Sequence, residues 1–487
     1  MGVWVIDVEA WDAADQPVTL RYASGDYTEQ DGGNYHYYAV RLVQPAIFNL
    51  VAFTGELLPS IGGEASVGSV ELLNTDGELD ALADYAVDGR SMTLRYIDGG
   101  VASQVLAATV ERMSFSERRV TLSLRNPLAM LEQPLPGNRY AGDNILPDGV
   151  EGTADDIGGT RKPLVFGEVS NASPVLVNTA KLIYQVHDGA DITVTEVRDR
   201  GVALTFGGDA TDLTDLLTTP PAAGEWRRYQ GYFALGAAGQ AITCDAARTT
   251  TLAGSVFAEL AALYGLSVPA GDIAALNAVG AAGVYVTEDA AGQELLSQLA
   301  QGIGALWWQS DSGDLRASLL AAPKVTPDAV IDDWQITGLA RSATGSGGNG
   351  LPVSGVTVQA DKIETVQEDL AAAAPNQARY ASEYREVAAE SAATQVRHPL
   401  SETITLASAL RNMADAGSLA ANLLALLSVR RDTVECRVVL SDAELGALTL
   451  GATVQLNTSR LGYPRNFVLL GRRPDAKRDR LTLILWG

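Results

Sequence analysis

The chain has 487 residues, too many for one ordinary hydrophobic core and enough for roughly three or four domains. Hydrophobic residues make up 47% and charged residues 19%, which excludes a disordered chain. With 35 basic against 59 acidic residues the net charge is −24, which argues against a duplex-binding surface, because phosphates are held by concentrated lysine and arginine.

From Gly2 to about Leu131 the sequence reads as short strands. VWVIDVEAW, PVTLRYAS, YHYYAVRLV, ASVGSVELL, SMTLRYID, QVLAATVERMSFS and RRVTLSLRN are rich in Val, Leu and Tyr and are separated by Gly, Asp and Asn. This spacing predicts a β-sandwich or small barrel. Between them, NTDGELDALADYAVDGR (Asn74 to Arg90) suggests a short helix between Asp-Gly turns. Asp76, Gly77 and Glu78 fall short of a calcium loop, which needs ligands at alternating positions and a glutamate at the twelfth, so a capped turn is expected.

GDNILPDGVEGTADDIGGTRKP is dense in Gly, Asp and Pro and reads as a long loop feeding a buried strand in PLVFGEV. ITVTEVRDRGVALTF predicts strand, turn and strand about Asp199 to Gly201, and RRYQGYFAL with AITCDAA is expected to continue the sheet. Beyond Thr251 the period changes. SVFAELAALYG places Val256, Leu260 and Leu263 on one helical face with Gly265 as its stop, and AGQELLSQLAQGIG follows Glu288 and Asp289, acids suited to a helix's positive end. ALWWQSDSGDLRASLL then predicts a hairpin with its tip at Ser312 to Asp314.

ATGSGGNGLP (Ala343 to Pro352) reads as a flexible link. VSGVTVQADKIETVQEDLAAAAP suggests a strand and a short helix, and LRNMADAGSLAANLLALLSVRRDTVECRVVL a helix with Leu419, Leu423 and Leu426 on one face followed by a strand. In the last 40 residues Val454 and Leu456, Phe467 and Leu469, and Leu481, Leu483 and Leu485 alternate, as in three strands of a compact β-module with a hairpin tip around Pro474 and Asp475. Trp486 falls opposite those leucines and is expected at a contact with a neighbouring subunit or another domain. The fold class is therefore β-rich α+β and multi-domain, with an inserted helix-and-hairpin unit. Its expected domains are 1–137, 138–250, 251–342 and 353–487.

Candidate chemistry is sparse. Cys244 and Cys436 lack CxxC companions and are expected as reduced core residues. His36, His187 and His398 are scattered, and His398 before Pro399 reads as a turn residue. No GxSxG, HExxH or phosphate-loop pattern occurs, and GSGGNG (Gly345 to Gly350) has no following lysine. Trp307 and Trp308 beside Asp311 and Asp314 could stack on sugar, but strand alternation turns one indole into the core. RRPDAKRDR (Arg472 to Arg480), the one basic concentration, reads as a solvated hairpin tip. No catalytic, cofactor-binding or metal residue is assigned, and no enzyme activity or cofactor is expected. No window reaches the roughly 20 apolar residues of a membrane span, and the first residues carry acids where a signal peptide would be basic.

The terminal segment, with an LG-x-x-V-x-L strand at Leu450 to Leu456 followed by a strand pair, resembles the closing segment of tail hub proteins of long-tailed bacteriophages, particularly Mu-like siphophages. RKPLVFG (Arg161 to Gly167) and the helix followed by a hairpin also recur in that family. The resemblance implies a structural, trimeric baseplate or tail-tip protein made in the host cytoplasm and carried in the virion. It would lie below the distal tail protein, with tape-measure protein entering the lumen and fibre or central tip proteins outside. The resemblance implies no sequence-specific contact with nucleic acid, and an acidic wall would let ejected DNA pass without sticking. Two alternatives stand beside it: a glycan-binding or carbohydrate-active tail protein, and the distal tail ring protein itself.

Overall fold

The computed structural model describes residues 2–46, 48–58, 66–143, 151–344, 351–439, 448–460, 462, 464–475 and 480–487. The chain forms two compact units, each built from separate stretches. One comprises Met1–Met130, Leu306–Pro352 and Val429–Gly487, the other Leu131–Ala305 and Val353–Ser428. Both are rich in strands, and the fold is β-rich α+β.

In the first unit, a nine-stranded sheet runs in the order Tyr27–Asp31, Asn34–Val40, Pro17–Ala23, Val3–Trp11, Ser91–Asp98, Val101–Ser116, Arg119–Arg125, Ser69–Leu73 and Leu42–Gln44. Asn34–Val40 and Leu42–Gln44 are halves of one bent strand. The first half pairs Tyr22 with Ala39 and the second pairs Leu42 with Leu72. Arg41 lies at the bend, its N–H donating to Ala23 and its carbonyl accepting from Leu73. The sheet thereby returns on itself as a barrel, and closure removes the free edges that would otherwise seek a partner. Ile6, Val8, Met92, Leu94, Leu106, Val110, Leu122, Val70 and Leu72 are buried within it. In the stretch between, the expected short helix forms as the 3-10 helix Asp80–Asp84, and Asp76 and Glu78 are taken by Arg41.

The second sheet of this unit repeats the device. Its order is Ala329–Asp332, Thr453–Asn457, Arg465–Asp475, Arg480–Trp486, Arg431–Val438 and Ile336–Thr344, so its first and last strands are consecutive in sequence, joined by the turn Asp333–Gln335. Phe48–Val51, from the amino-terminal stretch, adds to Arg465–Asp475. The motif Leu450 to Leu456 acquires a local explanation here. Leu450, Val454 and Leu456 are buried, and Gly451 takes a φ of 86° with Trp308 beneath it, a backbone state that disfavours a side chain.

Three expectations fail in this unit. Trp307 and Trp308 are both buried, Trp307 stacking on Phe53 at 4.0 Å between ring centroids. Strand Ala305–Gln309 is buried at every residue, whereas its hairpin partner Leu315–Leu319 is not, so alternation does not expose either indole. Arg472 is also buried, paired to Asp311 and donating to the Leu448 carbonyl at 2.7 Å, which makes it an internal tie instead of part of a solvated tip. The residues 476–479 of that tip, and 345–350 of the expected link, lie outside the described residues. Finally, Trp486 is fully buried, with the Arg431 guanidinium 5.3 Å from its ring centroid. On the face opposite the leucines Arg480 is exposed and Thr482 and Ile484 are half-buried, and that face is fully covered only at Trp486.

The second unit contains two five-stranded sheets. One orders Val202–Ala203, Ile192–Asp199, Ile242–Arg248, Leu164–Ala172 and Gly283–Val286, and the other Val175–Asn178, Ile183–Gln185, Tyr232–Leu235, Glu225–Tyr229 and Thr205–Asp209. RRYQGYFAL and AITCDAA thus fall in different sheets. A shared core of Val165, Tyr184, Val194, Trp226, Phe233 and Cys244 joins them. Helices Ala253–Ala262 and Ala270–Asn277 approach closely at Gly254, where any Cβ would strike the Ile273 carbonyl. Val256 and Leu260 are buried as expected, but Leu263 is 41% exposed because the helix has ended before it, and Phe257 fills the core instead. Gly292–Gly302 is the predicted second helix. Asp289, expected to serve its positive end, pairs with Arg139 and Arg161.

The remaining sheet, Arg385–Glu390, Gly355–Ala360 and Thr403–Ala407, packs on helix Met413–Leu427, whose Leu419 and Leu423 are buried while Leu426 is half-buried. The expected helix in IETVQEDLAAAA does not form. Residues 361–376 run as an irregular strap whose N–H groups go partly to the sandwich, Glu364 donating to the Ser170 carbonyl, Thr365 to Asn171 and Ala371 to Arg200, and partly to Leu410, Glu383 and Tyr380.

Two outcomes follow. Because Trp486 is core, Trp486→Ala should cost about 3–5 kcal/mol, and Leu483→Ala about 2–5 kcal/mol, in denaturant unfolding. A Trp486→Ala protein of wild-type stability would return the residue to the surface. In the second unit His187 is buried, accepts the Val165 N–H at Nδ1 (3.0 Å), and is pushed down to about 4 by burial, assisted by the charge of Arg248 and opposed by Asp191 and Asp188. An unfolded histidine titrates near 6.5. Between about pH 6.5 and 4 the unfolded chain therefore holds the extra proton, and stability falls as pH falls. His187→Asn keeps an acceptor and removes the titration, so stability measured from pH 7.5 to 5 should decline less steeply than in the wild type. Equal slopes would exclude His187 as the source.

Candidate assembly surface

The hairpin Tyr27–Asp31 with Asn34–Val40 is the part of the first barrel that closure leaves over, and Tyr27–Asp31 ends the sheet order without a second partner strand among the described residues. A tight turn at Gly32 and Gly33, both with positive φ, joins the two strands. Alternation then separates their residues. Tyr38 faces the barrel and is fully buried among Val5, Ala23 and Ile97, with Tyr27 packed beside it at 5.2 Å between ring centroids. Tyr35 and Tyr37 face away and are 72% and 65% exposed. Their cross-strand partners are Gln30 and Thr28, so these four positions carry two phenol rings, the Thr28 hydroxyl and the Gln30 amide, with no ionised group among them.

The inward face is latched by charge. The Tyr38 hydroxyl lies 2.7 Å from Asp7 Oδ1 and 2.9 Å from Glu29 Oε2, and Arg95 donates to Asp7 at 2.7 Å, to both Glu29 oxygens and to Tyr38. Arg21 sits 3.5 Å from Asp7, so two carboxylates meet two guanidiniums. The phenol has one proton for two carboxylates, and Arg95 supplies the donors that remain wanting. Consistent with this, the Arg95 hydrogen bond leads the causes that hold Glu29 below the usual carboxylate range, and burial followed by Asp7 and Glu29 pushes the Tyr38 phenol far up. These groups form a satisfied structural network. The carboxylates are engaged, and the site's chemistry is to fix the hairpin so that its outer face is held out rigidly.

Other candidates do not converge. Cys244 and Cys436 are free and buried, with burial pushing both thiols up, Cys436 to about 12, which opposes a reactive thiolate. His36 lies on the hairpin, His187 in the sandwich core and His398 at the end of the short helix Ala392–Arg397. Among the described residues no group of three His, Cys, Asp or Glu side chains is placed to hold a metal, and no helix is long and apolar enough to cross a membrane. An open groove of about 550 Å³ is lined by Ser354, Glu390, Ser391, Gln395, Val396 and Thr403. It holds one carboxylate and no opposing acid or base. The tyrosine face was not singled out in the sequence. The YHYY alternation was visible, but which face of it the barrel covers is a tertiary matter.

Neither a protein-family model nor a curated protein sequence matches the chain. Solved structures do resemble it across long stretches. The 43 kDa tail protein of prophage MuSo2 from Shewanella oneidensis aligns at 10% identity and a TM-score of 0.43, over 100% of this chain and 98% of that one. A tail protein from Neisseria meningitidis MC58 aligns at 11% identity and a TM-score of 0.45, over 99% and 96%. A chain of the native gene transfer agent virion aligns at 15% identity and a TM-score of 0.43, over 67% and 84%.

Arg95→Met leaves Asp7 and Glu29 without their shared cation and should cost about 1.5–3 kcal/mol, the range for hydrogen bonds to charged groups. Amide exchange should quicken across Tyr27–Val40 more than in Arg119–Arg125, a strand of the barrel that carries none of the latch residues. Uniform loosening of all strands would mean that the latch serves the whole barrel and not the hairpin.

Proposed function

We propose that this protein is a structural component of a phage tail tip: an oligomeric hub, a trimer, that closes or continues the tail tube, links the distal tail ring to the tip or fibres and lets DNA pass during ejection. The observation that carries this reading is the terminal module. The LG-x-x-V-x-L pattern on which the family resemblance rests corresponds to three buried apolar side chains and one left-handed glycine, within a closed sheet that also takes in Phe48–Val51. Such a pattern encodes a scaffold and not a reacting group. The latched tyrosine hairpin supports it further, because a chain of net charge −24 can bring copies together most readily through an uncharged, aromatic face. The distal tail protein, the tape-measure protein and fibre or central tip proteins are the partners this role requires.

The test is made in particles. With Tyr35→Ser and Tyr37→Ser combined, the purified chain should keep its stability within about 0.5 kcal/mol, since both side chains are exposed. Yield of complete tails should fall at least tenfold, and electron microscopy of wild-type tails carrying a label on this chain should show density at the tip. Label along the tail shaft or on fibres would refute the hub assignment. Normal tail yield from the double variant would remove the hairpin from the assembly contact.

A further inference from the structure

Residues 361–384, the strap with the short helix Gln377–Tyr380 that follows it, are fastened in the second unit by an arrangement in which positive charge is in excess. Asp361, held at a positive φ of 52°, accepts from Arg379 Nε at 3.1 Å and Arg411 Nη2 at 3.2 Å, and Arg385 Nη1 stands 3.6 Å away. Three guanidiniums therefore share one carboxylate. Nearby charges redress the balance only in part: Glu364 pairs with Lys362 at 3.0 Å and also feels the charge of Arg411, while Glu383 acts on Lys362 and hydrogen-bonds Tyr384. Arg411 is also tied to the Lys362 carbonyl and Ser170 Oγ, and Arg379 to the Ser382 carbonyl. After these bonds, Arg411 Nε and Arg379 Nη2 remain buried donors without an acceptor, and the Arg411 side chain is only 6% exposed. Buried guanidinium donors are ordinarily satisfied. Burial lowers the proton affinity of Arg379, with Arg411 and Arg385 adding to that against the pull of Asp361, as expected where like charges crowd.

We propose that this cluster is an oxyanion site, in which a carboxylate or phosphate group bridges Arg379 and Arg411 and draws in Arg385. The last is 57% exposed and forms the side from which a ligand would arrive. A planar or tetrahedral oxyanion offers the paired acceptors that guanidinium forks match, which a chloride ion does not. Arg379 and Arg385 belong to the strap or its end and Arg411 to the segment preceding helix Met413–Leu427, so the bound anion would fasten one to the other.

The probes are inorganic phosphate and glutarate, each added to the full chain at constant ionic strength with chloride as the reference. Either should slow amide exchange across 361–384 several-fold and raise the melting temperature, and Arg385→Gln and Arg379→Gln should each weaken the effect at least fivefold. Arg385→Gln removes an exposed side chain and should fold normally, which separates loss of binding from loss of structure. Preference for phosphate assigns a phosphate ligand, and preference for glutarate a carboxylate presented by another protein. If neither anion exceeds chloride, or both act undiminished on the two variants, the site does not exist.

Discussion

A strand edge is a row of amide and carbonyl groups that must be paired, covered or left to water, and the first unit of this protein is organised around pairing them. The bent strand 34–44 and the strand–turn–strand segment 329–344 each hydrogen-bond to one neighbour before the bend or turn and to another after it, returning both sheets on themselves. Much of the rest depends on that closure. It places Trp486, Leu483 and Cys436 in an interior, gives Gly451 its left-handed turn over Trp308, and leaves the Tyr27–Val40 hairpin as the segment not consumed by the barrel.

Charge in this molecule is used internally as well as at the surface. Asp7, Glu29, Tyr38 and Arg95 hold the hairpin against the barrel; Arg472 and Asp311 tie the Trp307 hairpin to the terminal sheet; Arg161, Arg139 and Asp289 gather the loop before Leu164. Removing one partner from such a cluster strands the other in a poorly solvated place, so these ties specify arrangement more than they add stability. A large acidic surplus can coexist with an ordered scaffold because arginines are spent where acids are buried. The uncharged tyrosine face is then a region where another molecule can approach without repulsion, which is why an assembly role is the reading proposed for it.

Local chemistry by itself determined much of this protein. Alternation of Val454 with Leu456 and of Leu481 with Leu483, the helical spacing of Val256 and Leu260, and the turns at Arg200 and Gly201 and at Gly313 are period-2, period-3.6 and positive-φ signals that neighbouring residues impose on one another, and each has its counterpart in the fold. What only tertiary structure decided is which face of a strand meets another element. Alternation would leave Trp486 and one of Trp307 and Trp308 facing outward, yet all three are buried, Trp307 on Phe53 and Trp308 against Gly451. Residues 361–376 have helix-forming composition, but their amides find better partners on the sandwich than within a helix. The Asp7–Arg95 latch and the Asp361 cluster join residues 88 and 50 positions apart, respectively, at their widest. Periodicity reports the pattern a segment can present. The long-range backbone pairing that closes a sheet decides which side of that pattern is covered.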